Sequence, residues 1–435
     1  MYRFLPSEFF NFEFLRVLGT APTHGCDVGE CVDVAANIRL NDGESWYLAW
    51  SEAGRKAESV AKQASSSGDV VAARWALLRA SNYHRSSELM LRKTFPSEDP
   101  RRLEAVSRAV DLFKQASVFL DSPVEFLEIP FGSEGAHLPA YLFLPPGNKG
   151  PEGDSSGKSP VLVQVQGFDT IQEEFYHFTV AGALPRGYAV LTFDAPGQGM
   201  VLRREKHRLH LRGDFEVVLR AVLDALWAHA SSSPLCENLD LERVAVSGNS
   251  MGAYFALRGT AFEPERVKAC IASDGFYDLG AAARDTIPGW FRYLNRGVVD
   301  RIMGLAVSLS NFKVQWELGQ GIFAFGASSV SDAVEKMQTF TLDKPDGTSL
   351  LADITCPTLV TDARDTLFPL EVQRIYNNLT QLKDGGTKIM WSPVGVGQGS
   401  LQAKVAAFSH LHAKTFGWLD GVFGINRPSL EQAKV

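Results

Sequence analysis

The chain has 435 residues, of which 45% are hydrophobic and 21% are charged, and its formal net charge is −7. This is the profile of a globular protein large enough for one main core and an accessory domain. The negative balance argues against nucleic acid or an anionic membrane as the main partner. The five cysteines are scattered and form no CxxC pair, which favours reduced thiols over a disulfide framework or a zinc site.

The amino-terminal segment MYRFLPSEFFNFEFLRVLG is apolar but carries charges at Arg3, Glu8, Glu13 and Arg16. It therefore lacks the uncharged core of a signal peptide, and it is too short and too charged to span a bilayer. From this segment and the free thiols we expect a cytoplasmic protein without a membrane span. The composition leaves a homodimer open.

Helical patterns then fill the chain up to about residue 121. Three alanine- and leucine-rich stretches have apolar residues at three- and four-residue spacing: SWYLAWSEAGRKAESVAKQASSSGD, VVAARWALLRASNYHRSSELMLRKTF and DPRRLEAVSRAVDLFKQASVFL. We therefore expect residues 1–121 to form a helical cap domain.

Strand patterns begin at residue 122. VEFLEIPF and HLPAYLFLP flank GSEGA, which predicts a hairpin. Six short, nearly continuous apolar runs then alternate with helical stretches: VLVQVQG, YAVLTFDAPG, RVAVSGNS, VKACIASDG, TLVTDARD and TKIMWSPV. Such runs are typical of central parallel strands that are covered on both faces. The sequence therefore predicts an α/β domain with a mostly parallel sheet over residues 122–435.

An insert at about 280–345 interrupts this alternation and has a helical pattern. We expect it to form a lid over the carboxyl ends of the strands, where open α/β sheets bind ligands. Its large aromatic side chains either line a pocket for a flat or greasy substrate or form the core of the lid: Trp290, Phe291, Tyr293, Phe312 and Trp316.

The stretch VAVSGNSMGAY, residues 244–254, contains the strongest chemical motif. Gly-x-Ser-x-Gly between a strand and a helix is the nucleophile elbow, in which a tight turn holds the serine hydroxyl above the sheet. The alternative is a glycine-rich turn without chemical meaning. We interpret Ser250 as a candidate nucleophile.

A serine nucleophile needs a base, an acid that orients the base, and hydrogen-bond donors for the oxyanion. CPTLVTDARDTLFP is a strand that runs into a loop, and it offers Asp365 as the acid, with Asp362 as the nearby competitor. We favour Asp365. For the oxyanion hole we expect the backbone N–H of Met251, and a second from Phe168 or Asp169 in the loop after VLVQVQ.

Four motifs now occur in order along the chain: QGFDTIQEEFYHF, FDAPGQGMVLR, VSGNSMGAYFALR and SDGFYDL. Together they resemble the fungal α/β-hydrolases of secondary-metabolite clusters, such as the yellowish-green pigment hydrolase and the hydrolases of the fusarin and cytochalasan pathways. The bacterial 2,6-dihydroxypseudooxynicotine hydrolase is a more distant relative. The resemblance covers most of the chain, because these proteins also carry a helical amino-terminal domain. It implies an α/β-hydrolase fold and a polyketide-type small-molecule substrate.

The chain departs from that family at the triad histidine. In the pigment-hydrolase type, the loop after the last strand resembles Gly-x-Gly-Glu-His, whereas this chain reads GVGQG at 395–399. If the final helix starts near Ser400, His410 and His412 lie about 15–18 Å along its axis, too far to act as the base. Helical spacing also makes His412 a packing residue and leaves His410 solvated. Both remain candidate bases if the loop before the final helix is longer than this interpretation gives it. The packing role of His412 is predicted from an apolar stripe at helical spacing, which consists of Leu401, Val405, Phe408, His412, Phe416 and Leu419.

Two functions follow. The first is an enzyme of secondary-metabolite biosynthesis that cleaves a C–C, ester or thioester bond of a polyketide or polyketide–amino acid through Ser250. The second is a non-hydrolytic cyclase of aldol or Knoevenagel type, or a pseudo-hydrolase, which uses the same pocket with an incomplete triad. APGQG lacks the spacing of a dinucleotide site and no metal-ligand cluster is visible, so we expect neither a cofactor nor a metal.

Overall fold

The structure is a computed structural model, and it describes residues 3–91, 99–132, 135–281, 295–364 and 370–429. The chain divides into two compact units. The first unit comprises residues 1–120, 196–213 and 278–341. The second unit comprises residues 121–195, 214–277 and 342–435.

The second unit contains an eight-stranded sheet. Its strands are β1 (Val124–Pro130), β2 (His137–Phe143), β3 (Ser159–Val165), β4 (Ala189–Phe193), β5 (Leu239–Asn249), β6 (Ala269–Ser273), β7 (Thr358–Thr361) and β8 (Lys388–Trp391). They are arranged in the order β1-β2-β4-β3-β5-β6-β7-β8. The pairs β1–β2 and β2–β4 are antiparallel, and the pairs from β4 through β8 are parallel. This confirms the predicted α/β fold with a mostly parallel sheet.

The carboxyl ends of the parallel strands lie in register along one edge of the sheet. Asn249 of β5 pairs with Ser273 of β6, Ser273 pairs with Thr361 of β7, and Thr361 pairs with Trp391 of β8. The loops that leave these strands therefore start side by side, as in other open α/β sheets that bind ligands at this edge.

Helices connect the strands of the second unit and form most of the first unit. In chain order they are α1 (Glu8–Leu18), α2 (Val28–Asn37), α3 (Gly43–Ser67), α4 (Val70–Ser87), α5 (Arg101–Ser117), α6 (Ala181–Ala183), α7 (Gly199–Arg203), α8 (Glu216–Ser232), α9 (Met251–Phe262), α10 (Arg296–Ser308), α11 (Phe312–Phe325), α12 (Val330–Met337), α13 (Glu371–Asn378) and α14 (Phe408–Val422). A search of the described residues finds no helix that combines the length and apolar character needed to cross a membrane.

The helical insert belongs to the same compact unit as the amino-terminal helices. The ring of Phe312 in α11 lies 5.0 Å from that of Phe10 in α1, and the indole N–H of Trp316 donates to the Leu89 carbonyl at 2.6 Å. Both insert side chains are 5% exposed, so they are core residues of the first unit. The other three aromatic residues of the insert, Trp290, Phe291 and Tyr293, lie outside the described residues.

The final helix begins at Phe408, so the predicted start near Ser400 is wrong. The chain between β8 and α14 instead forms a loop in which three residues other than glycine have positive φ: Ala403 (54°), Lys404 (59°) and Ala406 (65°). A right-handed helix cannot pass through such residues. The apolar stripe is nevertheless buried along its whole length, because the loop packs its apolar side chains without being helical.

Candidate active site

Ser250 lies between β5 and α9, at the carboxyl edge of the sheet. Its backbone has φ 56° and ψ −122°, which is an unfavourable combination for any residue with a side chain. The turn is held because the Ser250 N–H donates to the Ser273 carbonyl of β6 at 2.7 Å. Ser250 itself is partly exposed, whereas its neighbours Asn249 and Met251 are buried.

The two glycines of the motif are required by contact distances. A Cβ at Gly248 would lie 1.9 Å from the Gly252 carbonyl oxygen. A Cβ at Gly252 would lie 2.6 Å from the carbonyl oxygen of Gln166 and 2.7 Å from that of Val165, at the end of β3. Any side chain at either position would force α9 away from the sheet.

The predicted oxyanion donors lie around this turn. Met251 is the first residue of α9, and the N–H groups of the first helical turn have no acceptor within their own helix. The loop after β3 approaches from the other side: a Cβ at Gly167 would lie 3.9 Å from the Ser250 Cβ. Phe168 and Asp169 follow in this loop, and both are partly exposed.

Asp194, which the sequence analysis missed, anchors the same loop. Its fully buried carboxylate follows β4 and accepts hydrogen bonds from the Gln172 backbone N–H at 3.0 Å and from the Gln166 side-chain amide at 2.9 Å. Gln166 and Gln172 enclose residues 167–171, so both ends of that loop are tied to one carboxylate. The signal was present in FDAPGQG, where a lone acid ends a buried strand.

The proposed acid Asp365 lies outside the described residues. Its competitor Asp362 follows β7 directly and is partly exposed. The Asp362 backbone N–H donates to the Trp391 carbonyl of β8 at 3.0 Å.

The two candidate bases have different surroundings. His412 is 7% exposed, its Nε2 donates to the Phe178 carbonyl at 2.7 Å, and a Cβ at Gly182 would lie 2.4 Å from its Nδ1. Burial lowers the pKa of His412 and outweighs the opposite effect of that hydrogen bond. His410 is only the third residue of α14, is partly exposed, and has its ring 5.6 Å from that of Trp391 at the end of β8.

A buried ion pair, which the sequence analysis also missed, lies beside the turn. Asp274 directly follows β6, and its carboxylate lies 2.7 Å from the Lys404 Nζ, with both side chains fully buried. Burial raises the pKa of Asp274, while Lys404 acts in the opposite direction. The two residues are 130 positions apart, so no local pattern connects them.

One group among the described residues brings metal-ligating atoms together: Glu125, His229 and Cys236, with these atoms within 4.8 Å of one another. The Glu125 carboxylate lies 2.9 Å from His229 Nε2 and 3.2 Å from Cys236 Sγ, and it also accepts from the Ser233 hydroxyl. Burial raises the pKa of Cys236 to about 12, so the thiol keeps its proton. Hydrogen bonds account for this cluster, which lies at β1 and not at the β5–α9 turn.

The fold and the strained serine turn define an α/β-hydrolase. The sequence profile of the alpha/beta hydrolase family matches residues 166–392, which include β4 through β8 and Ser250. The chain therefore belongs to the α/β-hydrolase family.

Full-length relatives narrow this assignment. The chain is 42% identical to the alpha/beta hydrolase psoB of Aspergillus fumigatus, over 99% of this chain and 96% of that protein. It is also 42% identical to the 20-hydroxy-prefusarin hydrolase FUS2 of Gibberella moniliformis, over 99% of this chain and all of that protein. These matches confirm the resemblance to fungal secondary-metabolite hydrolases.

A solved structure agrees with the fold. The crystal structure of a 2,6-dihydroxy-pseudo-oxynicotine hydrolase superposes with a TM-score of 0.66 at 20% identity. The match covers 95% of this chain and 98% of that one.

The backbone at Ser250 predicts an unusual order of stability. Ser250→Gly removes the strain of the positive φ, whereas Ser250→Ala keeps it, so we expect the glycine variant to be more stable by about 1 kcal/mol after the entropy cost of glycine. Urea unfolding of both variants measures the difference. The control is Ala225→Gly in the middle of α8, where glycine should instead cost about 1 kcal/mol. A glycine variant no more stable than Ser250→Ala would show that the turn is unstrained.

The lowered pKa of His412 predicts a pH effect on stability. Unfolding restores the pKa of His412 to its ordinary value of about 6.5. Just below that pH the histidine is therefore protonated in the unfolded chain but still neutral in the folded chain. The stability that comes from keeping His412 neutral is fully present above about pH 6.5. It is lost as the pH falls from there towards the pKa of His412 in the folded protein. His412→Gln, which keeps a donor for the Phe178 carbonyl, should flatten the fall of the unfolding free energy between pH 7 and pH 5.

Urea unfolding at a series of pH values tests this prediction. The control is His207→Gln at an exposed position, which shows how the loss of any histidine changes the pH dependence of the unfolding free energy. If the unfolding free energy of His412→Gln falls with pH as steeply as that of the wild-type protein, the claim that burial lowers the pKa of His412 is contradicted.

Proposed function

We propose that this protein is an enzyme of secondary-metabolite biosynthesis that cleaves a C–C, ester or thioester bond through Ser250. The observation that carries the proposal is the backbone of Ser250, held at φ 56° between β5 and α9. Strain of this kind persists only where the surrounding structure enforces it, and it is concentrated at functional sites.

The chemistry follows from the neighbours of Ser250. Its hydroxyl oxygen attacks the carbonyl carbon of the substrate, and a base takes the hydroxyl proton. The N–H of Met251 and that of Phe168 or Asp169 donate to the oxyanion as it forms. The intermediate collapses to an acyl-enzyme and expels an alkoxide, thiolate or enolate, which is protonated; water then releases the acid.

Of the two carboxyl-terminal histidines, His410 is the better candidate for the base. The Nε2 proton of His412 is directed at a carbonyl group and its Nδ1 faces Gly182, so neither nitrogen is available without repacking. His410 is partly exposed, lies in the first turn of α14 and is close to the end of β8. We retain Asp365 as the acid that orients it.

The substrate class rests on the family. The name of one full-length relative states that it hydrolyses 20-hydroxy-prefusarin. By analogy we propose a polyketide or polyketide–amino acid intermediate, without a cofactor.

A second candidate function is ring closure of the aldol or Knoevenagel type. It is favoured by the loop after β8, which brings Gln402 and Lys404, not a histidine, to Asp274 beside the elbow. An oxyanion hole also stabilises an enolate. In that reaction a base removes the proton between two carbonyl groups, the enolate carbon attacks an aldehyde or ketone of the same chain, and water leaves.

Labelling with a fluorophosphonate probe distinguishes the two. We expect stoichiometric phosphonylation of the wild-type protein, read by intact mass, and none in Ser250→Ala. His410→Gln should slow labelling by about a hundredfold or more, since loss of a general base typically costs 10²–10⁴-fold.

His412→Gln is the matched control, because it removes a histidine two residues away and should leave the labelling rate within about threefold. Wild-type protein that stays unlabelled where an ordinary serine esterase is saturated would overturn covalent catalysis. Product formed equally well by Ser250→Ala would then favour the cyclase.

A further inference from the structure

Three loops at the carboxyl edge of the sheet converge on one buried lysine. Asp274 begins the loop after β6, Asp362 begins the loop after β7, and Lys404 lies in the loop after β8. The Lys404 Nζ donates to the Asp274 carboxylate at 2.7 Å and to the Asp362 backbone carbonyl at 2.6 Å. One ammonium group therefore binds both of the other loops.

Two further hydrogen bonds hold the same loops together. The Gln402 side-chain amide donates to the Asp274 backbone carbonyl at 2.8 Å. The Arg364 backbone N–H donates to the Ser400 carbonyl at 2.9 Å. The loop after β8 is thus also attached to the loops after β6 and β7 through Ser400 and Gln402, which shortly precede Lys404.

This assembly is in direct contact with the serine turn. The residue before Asp274 is Ser273, whose carbonyl accepts the Ser250 N–H at 2.7 Å. The residue after it is Gly275, where a Cβ would lie 2.7 Å from the Ala253 Cβ and 3.5 Å from the Ser250 carbonyl oxygen. A shift of Asp274 therefore moves the atoms against which Ser250 and the first turn of α9 are packed.

Stability alone does not require a charged pair at this place. Buried ion pairs are often no more stabilising than apolar side chains of the same volume, because both charges lose their hydration. The loop also holds Ala403, Lys404 and Ala406 at positive φ, which costs free energy. What the pair supplies is a geometric constraint, because the loops must keep both acceptors within hydrogen-bond distance of one ammonium group.

We infer that Lys404 is a positioning residue of the Ser250 site: through Asp274 it fixes the serine turn relative to the loops that follow β7 and β8. The inference rests on the proposed function for its catalytic consequence, but the coupling of Lys404 to the serine turn is a physical statement of its own.

The test compares Lys404→Met, Asp274→Asn and the double variant Lys404→Met/Asp274→Asn in the full-length protein. Each single variant leaves a buried charge without its counter-ion and is expected to lower the Tm. The double variant removes both charges and should recover most of that loss. The matched control is Lys388→Met: Lys388 is also a buried lysine, its Nζ lies 3.2 Å from the Tyr376 carbonyl and 3.1 Å from Asp384, and it stands at the amino end of β8.

Two measurements are made on each variant. The first is fluorophosphonate labelling, separated into the maximal rate constant and the concentration for half-saturation. In the double variant we expect the rate constant to fall about tenfold to a hundredfold with little change in half-saturation, as misplacement of a nucleophile predicts. The second is amide hydrogen exchange in the peptide covering residues 247–254, which we expect to become about tenfold faster. Lys388→Met should change neither the labelling rate constant nor the exchange of residues 247–254, even if its Tm is lower.

The inference is overturned if the double variant recovers both its stability and the wild-type labelling rate, or if exchange in the serine turn is unchanged. If the wild-type protein is not labelled at all, the proposed function fails. The exchange comparison between the double variant and Lys388→Met then still decides whether Lys404 fixes the turn.

Discussion

The arrangement of the candidate site depends on the strained backbone of one residue, Ser250. Its positive φ turns the chain sharply at the sheet edge, and α9 starts at the next residue. This is sterically possible only because positions 248 and 252 have no Cβ, which lets α9 approach the end of β3 closely. The same close approach brings the loop of Gly167 beside Ser250, so the candidate nucleophile and the candidate oxyanion donors arise from a single constraint.

Buried polar groups stabilise this geometry from both sides. Asp194 ties the loop after β3, and Asp274 with Lys404 ties the loops after β6, β7 and β8. Both carboxylates are fully buried and both follow the end of a strand. Hydrogen bonds of this kind are directional, so they favour one arrangement of the loops that they join around the strained turn.

Much of the fold could be predicted from the sequence because the signals are local. Buried parallel strands give continuous apolar runs, and the glycine spacing around Ser250 has a direct steric cause. The start of the last helix could not be predicted in this way, since Leu401 and Val405 continue the apolar stripe of α14 at helical spacing although they lie in a loop. No residue type at 403, 404 or 406 indicates a positive φ.

The remaining contacts of the site are non-local. Lys404 and Asp274 are far apart in the chain: Asp274 follows a buried strand, as Asp194 does, but nothing near it in the sequence indicates that its partner is Lys404. The motifs could locate Ser250, but they gave no sign that a buried lysine lies where related enzymes are expected to have their histidine loop. The position of His410 in the first turn of α14 also follows only from the true start of that helix.

The most direct test of the account is a crystal structure of the protein after reaction with a fluorophosphonate. We expect a phosphonyl group on the Ser250 Oγ, with one phosphoryl oxygen about 2.7–3.1 Å from the Met251 nitrogen and from the nitrogen of Phe168 or Asp169. A phosphonyl oxygen that points into solvent, or an adduct on a different residue, would contradict the claim that this strained turn is a working nucleophile site.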